Sequence, residues 1–292
     1  MNCIDQVVTD KYALYHGDCV EVLKGLPDQS VGYSIFSPPF ASLYTYSNSP
    51  RDMGNVRNDD EFFEHFDYLI KELARVIKPG RNISFHCMDM PASKERDGYI
   101  GLKDFPGELL RAFQRHGFIF HSKVTIWKDP VTAMQRTKAL GLLHKSVREN
   151  SAMCRQGIPD YLITVRSPGS CERVTHGAEF PVDLWQKVAS PVWMDINPSD
   201  TLQYTSAREH DDERHICPLQ LEVIRRGVML WTNPDDIVLS PFLGIGSEGH
   251  VSVEMGRRFV GVELKASYFQ QAVRNLATAH AKTLDLFSVE AE

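Results

Sequence analysis

The sequence predicts an α/β fold: a mostly parallel sheet with helices on both faces and one small inserted segment. Three observations carry this. Short apolar runs alternate with stretches of helical periodicity at both ends of the 292-residue chain. Runs such as Val31–Phe36 and Ile237–Leu239 are apolar nearly throughout, as strands buried on two faces are. The apolar fraction of 42% is enough for a substantial core and suits one large domain, or one domain with an insertion.

Taken in order, Val31–Phe36 reads as a buried strand ending at Ser37. Asp59–Ile77 spaces Phe62, Phe63, Phe66, Leu69, Ile70, Leu73, Val76 and Ile77 as one helix face, and Pro79-Gly80 stops it. Asn82–Phe85 follows as a strand. Phe105–His116 reads as a helix with Pro106 in its first turn and Gly117 beyond its end. Phe118–Trp127 is β-rich. Asp129–Gln156 is polar, basic and weakly periodic, an insertion of loops and short helices ahead of a second β-rich run, Tyr161–Val165. Gly169–Asp200 is irregular. Periodicity then returns in the helices Pro218–Trp231, Ser247–Met255 and Lys265–Ala281, with strands Ile237–Leu239 and Phe259–Val262 between them. There is no internal repeat.

Composition narrows the classes. No apolar run is long enough to cross a bilayer, and the N-terminus lacks the basic-then-apolar pattern of a secretion signal. A cytoplasmic protein with no membrane partner is expected. The six cysteines are scattered without C-x-x-C or metal-ligand spacing, so neither a disulfide framework nor a metal site is expected. The net charge of −6 argues at first against nucleic acid, but its distribution is uneven. From Lys123 to Arg173, nine Lys and Arg face four acids. A basic insertion on an acidic body is compatible with a DNA-facing surface or with an ordinary solvated face.

The richest local pattern is Ile237-Val-Leu-Ser-Pro-Phe-Leu-Gly-Ile-Gly-Ser-Glu-Gly249. A strand runs into a glycine turn and then a helix. Gly244 and Gly246 let backbone approach a ligand closely, and the helix start offers unpaired N–H groups. The next strand, Phe259-Val-Gly-Val-Glu263, ends in a carboxylate suited to two ribose hydroxyls. With Gly249 counted, the spacing also matches the dinucleotide fingerprint. Pro241-Phe242 ahead of the glycines suits a compact, partly aromatic pocket better than a diphosphate cradle.

Ser-Pro-Phe-Leu-Gly-Ile-Gly-Ser followed by Val-Gly-Val-Glu resembles the S-adenosylmethionine site of the β-class DNA amino-methyltransferases. The family's loop normally begins with Asp where this chain has Ser240. His215-Ile-Cys-Pro-Leu-Gln-Leu-Glu-Val-Ile resembles the family's cofactor-binding helix, Trp193-Met-Asp-Ile196 the segment before it, and Tyr15-His-Gly-Asp18 the strand end whose acid holds adenine. The resemblance implies the adenosylmethionine-dependent methyltransferase fold, Rossmann-like and with a circularly permuted motif order. It implies S-adenosylmethionine as cofactor, with Asp18, Pro218, Phe242, Gly244, Gly246, Ser247 and Glu263 as its contacts. The expected organisation is residues 1–128 as the catalytic half, 129–175 as an inserted target-recognition segment and 176–292 as the cofactor half.

Ser37-Pro38-Pro39-Phe40 is then the expected catalytic loop. An exocyclic amino nitrogen is a poor nucleophile because its lone pair is delocalised into the ring. Acceptors aimed at its hydrogens, here Ser37 Oγ and the Pro38 carbonyl, free that pair by preorganised electrostatics. Phe40 would stack on a base flipped out of the duplex, with Tyr44 and Tyr46 lining the pocket. Similar enzymes with Asp in place of Ser37 are mostly adenine-directed and those with Ser often cytosine-directed, and the base stays open between adenine N6 and cytosine N4. Tyr44, Lys138, Lys145 and Arg148 are the expected DNA contacts, the three cations on phosphates. DNA is the expected partner, and a homodimer is an open option. An RNA or protein-glutamine methyltransferase and a non-catalytic nucleotide-binding module are the alternatives.

Overall fold

The computed structural model describes residues 2–39, 53, 59–92, 94–131, 144–153, 156–177, 180–203 and 218–289. Its strands are β1 (Asp5–Val8), β2 (Tyr12–His16), β3 (Tyr33–Phe36), β4 (Asn82–Met88), β5 (Met90–Ala92), β6 (Gly101–Lys103), β7 (Ile119–Ile126), β8 (Asp160–Arg166), β9 (Val192–Trp193), β10 (Ile237–Ser240) and β11 (Arg258–Glu263). Its helices are α1 (Cys19–Leu23), α2 (Asp59–Val76), α3 (Lys94–Asp97), α4 (Phe105–Arg115), α5 (His144–Asn150), α6 (Val182–Ala189), α7 (Leu221–Trp231), α8 (Ser247–Glu254) and α9 (Ala266–Val289).

The main sheet runs β1-β2-β11-β10-β3-β4-β8-β7-β9, while β5 and β6 pair apart from it. All its strands run one way except β1 and β8. Side chains alternate between two cores. On one face Phe36, Ile83, Phe85 and Val165 pack against α1, α2 and α4 through Val22, Phe66, Leu73 and Phe113. On the other, Tyr33, Ile35, Leu162 and Val238 pack against α7, α8 and α9 through Val223, Val251 and Leu276. Coverage on both sides explains why the central strands are apolar throughout.

The amino ends of the central strands are tied together. Arg81, ahead of β4, pairs with Asp236, ahead of β10, and donates from Nε to the Gly32 carbonyl ahead of β3 at 2.8 Å. The fixed ends leave the carboxyl ends to form loops. Local capping is equally legible: Asp104 Oδ1 accepts from the Gly107 backbone N–H at 2.9 Å at the start of α4. Asp104→Ala should destabilise the protein by about 1 kcal/mol, read as a lower urea midpoint at unchanged slope.

The expected elements are present, with additions. β1, α1 and the β5–β6 pair were not expected, and α6 and β9 lie inside the stretch expected to be irregular. The 129–175 range contributes β8 to the main sheet between β4 and β7, so a boundary at 175 takes in a strand of that sheet. Antiparallel β8 runs against two neighbours and needs apolar residues on both faces, which a boundary drawn by charge overlooks.

Candidate active site

β3 and β10 are neighbours in the middle of the sheet although about two hundred residues separate them. From β10 the chain crosses through α8 to β11, on one side. From β3 it crosses through α2 to β4, on the other. The connections diverge there, so a crevice opens at the carboxyl ends, the usual ligand position in open α/β sheets. Ser37 follows β3, Ser240 ends β10, Glu263 ends β11 and Asp18 lies beyond β2, all at this edge.

The glycine turn is built by short bonds. Leu243 N–H donates to the Val262 carbonyl at 2.8 Å and Gly246 N–H to the Leu243 carbonyl at 2.9 Å. Glu263 is braced on both oxygens, accepting from Gly244 N–H at 2.7 Å and Lys265 N–H at 2.8 Å. Its carboxylate is thus held at the rim of the turn. Gly246 is left-handed at φ +92 and starts α8. Gly244 is left-handed at φ +53, and a Cβ there would meet no atom within 4 Å.

Phe242 links the two halves. Its ring lies 5.7 Å from Phe36, one residue before Ser37, and stacks at 6.5 Å on Phe66 of α2. Asp18 caps α1, its Oδ1 accepting from Glu21 N–H at 3.0 Å. Pro218 leads into α7, which packs on α8 and β3.

Several polar groups at this edge await partners. Ser240 Oγ and Ser247 Oγ are buried with no hydrogen bond among the described residues. Glu248, the second residue of α8, is buried, and its carboxyl is pushed up to about 8 by loss of solvent and then by nearby Glu263. A carboxyl whose folded pKa is raised stabilises the fold fully at low pH and loses that contribution as pH rises through the folded value. The melting temperature of Glu248→Gln should therefore depend less on pH than that of the parent between about 4.5 and about 8. Parallel curves in differential scanning calorimetry would refute the assignment. Unpartnered hydroxyls, open space over Gly244 and a carboxylate at the rim form a donor set that fits an adenosine ribose and a cationic sulfonium.

The catalytic strand end carries a constellation that sequence reasoning missed. Ser37 Oγ lies 3.2 Å from His86 Nδ1. His86 Nε2 lies 3.1 Å from Asp160 Oδ2, at ion-pair distance but off the axis of an ideal N–H···O bond. Lys128 Nζ is bonded to the other oxygen, Oδ1. Burial by itself raises the Asp160 carboxyl, but His86 and Lys128 outweigh it and hold the group below its ordinary value. On the opposite face of β8, Tyr161 donates to Asp89 at 3.4 Å and Lys123 sits over the Tyr161 ring. The available signal was the alternation of Asn82, Ser84 and His86 with apolar residues along β4.

Of the expected site residues, Ser37, Pro38, Asp18, Phe242, Gly244, Gly246, Ser247 and Glu263 all lie at the carboxyl edge, and Pro39 ends the described part of the catalytic loop. Lys145 and Arg148 are exposed on α5, with Lys145 paired to Glu149 at 3.7 Å. Phe40, Tyr44, Tyr46 and Lys138 lie outside the described residues.

A mostly parallel sheet with a glycine turn, an acidic next strand and a Ser-Pro-Pro loop at its switch point defines an α/β methyltransferase. The model of a family described as DNA methylase, of the N6/N4 type, matches residues 33–274. The type II methyltransferase M1.MboII of Moraxella bovis is 38% identical over 89% of this chain and 94% of its own. The DNA adenine methyltransferase YhdJ of Escherichia coli is 25% identical over 91% of this chain and 83% of its own. Among solved structures, the putative DNA modification methylase TTHA0409 of Thermus thermophilus, complexed with S-adenosyl-L-methionine, superposes with a TM-score of 0.67 at 23% identity, covering 92% of this chain and 96% of that one. The chain belongs to the N6/N4 DNA methylase family and is an S-adenosylmethionine-dependent DNA amino-methyltransferase.

Proposed function

We propose that the crevice between β3 and β10 is where an exocyclic amino group of a flipped adenine or cytosine is methylated, and that Ser37, Pro38, Pro39 and Phe40 are its catalytic loop. The observation that carries this is the meeting of Ser37 and the Gly244–Gly246 turn at one switch point, although their strands lie far apart in the chain. When bound, S-adenosylmethionine supplies an electrophilic methyl on a sulfonium. Glu263 is the residue for the ribose hydroxyls, held in place by Gly244 and Lys265. The left-handed glycines keep the turn free of side chains, and Ser240 and Ser247 offer unpartnered hydroxyls to the same ligand. Asp18 already caps α1 through one oxygen, which leaves its other oxygen for the adenine.

Ser37 Oγ and the Pro38 carbonyl accept from the amino hydrogens and so raise the nucleophilicity of the nitrogen. Phe40 stacks on the base, which offsets part of the few kcal/mol that flipping costs. Lys145 and Arg148 on exposed α5 contribute phosphate contacts. The test is incubation of the purified protein with labelled S-adenosylmethionine and duplex DNA, RNA or protein, followed by nucleoside mass spectrometry. Label in DNA as 6-methyladenine or 4-methylcytosine supports the reading and names the base. Label confined to RNA or protein, or no label, overturns it.

A further inference from the structure

In amino methylation the nitrogen that takes the methyl must also lose a proton. A serine hydroxyl is a feeble base, so the destination of that proton is an open chemical question. The structure supplies a route. β3 and β4 are parallel with Phe36 opposite Phe85, so the next residues, Ser37 and His86, fall side by side. β4 and β8 are antiparallel with Met88 opposite Asp160 and His86 opposite Leu162. Asp160 is therefore the diagonal neighbour of His86 on the same face, within side-chain reach. The distances agree: 3.2 Å from Ser37 Oγ to His86 Nδ1 and 3.1 Å from His86 Nε2 to Asp160 Oδ2.

We propose that His86, oriented by Asp160, is the proton acceptor behind Ser37 in methyl transfer; this rests on the methyl-transfer reading of the site. With the proton carried on Nε2, the nitrogen nearer Asp160 though off the axis of an ideal hydrogen bond, Nδ1 is left with a lone pair for the Ser37 hydroxyl proton. Ser37 Oγ then has its own lone pairs free for the amino group. As the N–CH3 bond forms, the S–CH3 bond breaks and its electron pair stays on sulfur as a neutral thioether. The amino nitrogen passes one proton to Ser37 Oγ, keeping the N–H electron pair. The Ser37 proton moves to His86 Nδ1. The imidazolium is stabilised by Asp160 and later releases its proton to solvent. Asp160 orients and compensates charge without itself being protonated, the division of labour known from Ser-His-Asp triads.

The charged surroundings fit this role. The charged group facing His86 is Asp160 from β8, whose other oxygen is held by Lys128 beyond β7, whereas Tyr161, with Asp89 and Lys123 against it, points to the opposite face of the sheet. Lys128 occupies Oδ1 and His86 faces Oδ2, so a carboxylate only 2% exposed is balanced by a fixed cation and can also meet a transient one.

The experiment is single-turnover methylation of duplex DNA with saturating labelled S-adenosylmethionine across a pH series, for the parent and His86→Gln. The parent rate should fall on the acid side as the imidazole becomes protonated before reaction. His86→Gln should be slower by about tenfold to a hundredfold, the range of a positioned acid or base, and should lack that acid limb. Cofactor affinity should be unchanged by calorimetry. A second readout needs neither DNA nor turnover: 15N NMR of histidine-labelled parent protein above neutrality should give His86 as the Nε2–H tautomer. A parent that transfers methyl beside a His86→Gln that keeps the rate and the acid limb overturns the relay alone. So does an Nδ1–H tautomer, which decides the matter even if the variant fails to fold. A parent that transfers no methyl to DNA overturns the underlying reading and the relay with it.

Discussion

Ser37→Ala should lower single-turnover methyl transfer to DNA by about 10²–10³-fold, the usual effect of deleting one preorganised polar group from a transition-state site. Binding of S-adenosylmethionine should be unchanged, because the glycine turn and Glu263 are held by backbone bonds in which Ser37 takes no part. The fold should survive as well. The side chain is only partly buried, its neighbours Phe36 and Pro38 are buried, and Ser37 lies past the last paired residue of β3. The loss should not reach the levels seen when a covalent nucleophile is removed. Ser37 accepts a hydrogen bond here, and the Pro38 carbonyl remains as the second acceptor. Filter-bound label in a rapid-quench time course gives the rate, and titration calorimetry gives the affinity. A variant within about threefold of the parent rate would reject Ser37 as an acceptor, since even one net hydrogen bond to a charged or developing charge is worth more than that.

The same residue marks the boundary of what could be read in the chain. The switch point was legible because both strands leading into it carry local signals: apolar runs, proline or glycine directly afterwards, and an acid at the end of the following strand. Glu263 and the glycine turn fall in one stretch of sequence, so their contact at 2.7 Å follows from a strand-turn-helix-strand pattern. The chemistry behind Ser37 was not legible in that way. His86 and Asp160 sit on strands far apart in the chain, and no local pattern encodes a diagonal pair across an antiparallel ladder. Charge misled in the same region. Lys128 and Asp160 belong to a stretch whose charge suited either a DNA-facing surface or an ordinary solvated face, yet they form an ion pair with Asp160 buried. The edge strand β1 and the short β5–β6 pair escaped for another reason: at three or four residues each, they are below the length at which periodicity separates strand from loop.

The glycine turn allows its two jobs, folding and ligand approach, to be pulled apart by a pair of substitutions. Gly246→Ala should destabilise the protein by about 2–4 kcal/mol, from a left-handed backbone that disfavours any Cβ together with overpacking. A Cβ at this position would sit 2.7 Å from Leu276 Cδ1 and 3.2 Å from Ala272 Cα of α9. The leucine tip can shift, but the Ala272 backbone cannot without moving α9 off α8. Gly244→Ala meets open space instead, so it bears only the backbone cost of about 1 kcal/mol. Its methyl, however, projects into the space over the turn that the cofactor is proposed to fill. Urea denaturation should therefore rank Gly246→Ala far below Gly244→Ala, whereas calorimetric titration with S-adenosylmethionine at a temperature where both are folded should find Gly244→Ala weakened by tenfold or more, about 1.4 kcal/mol. Unimpaired binding in Gly244→Ala would remove the cofactor from that face of the turn. A Gly246→Ala as stable as the parent would mean that α9 does not press on the start of α8.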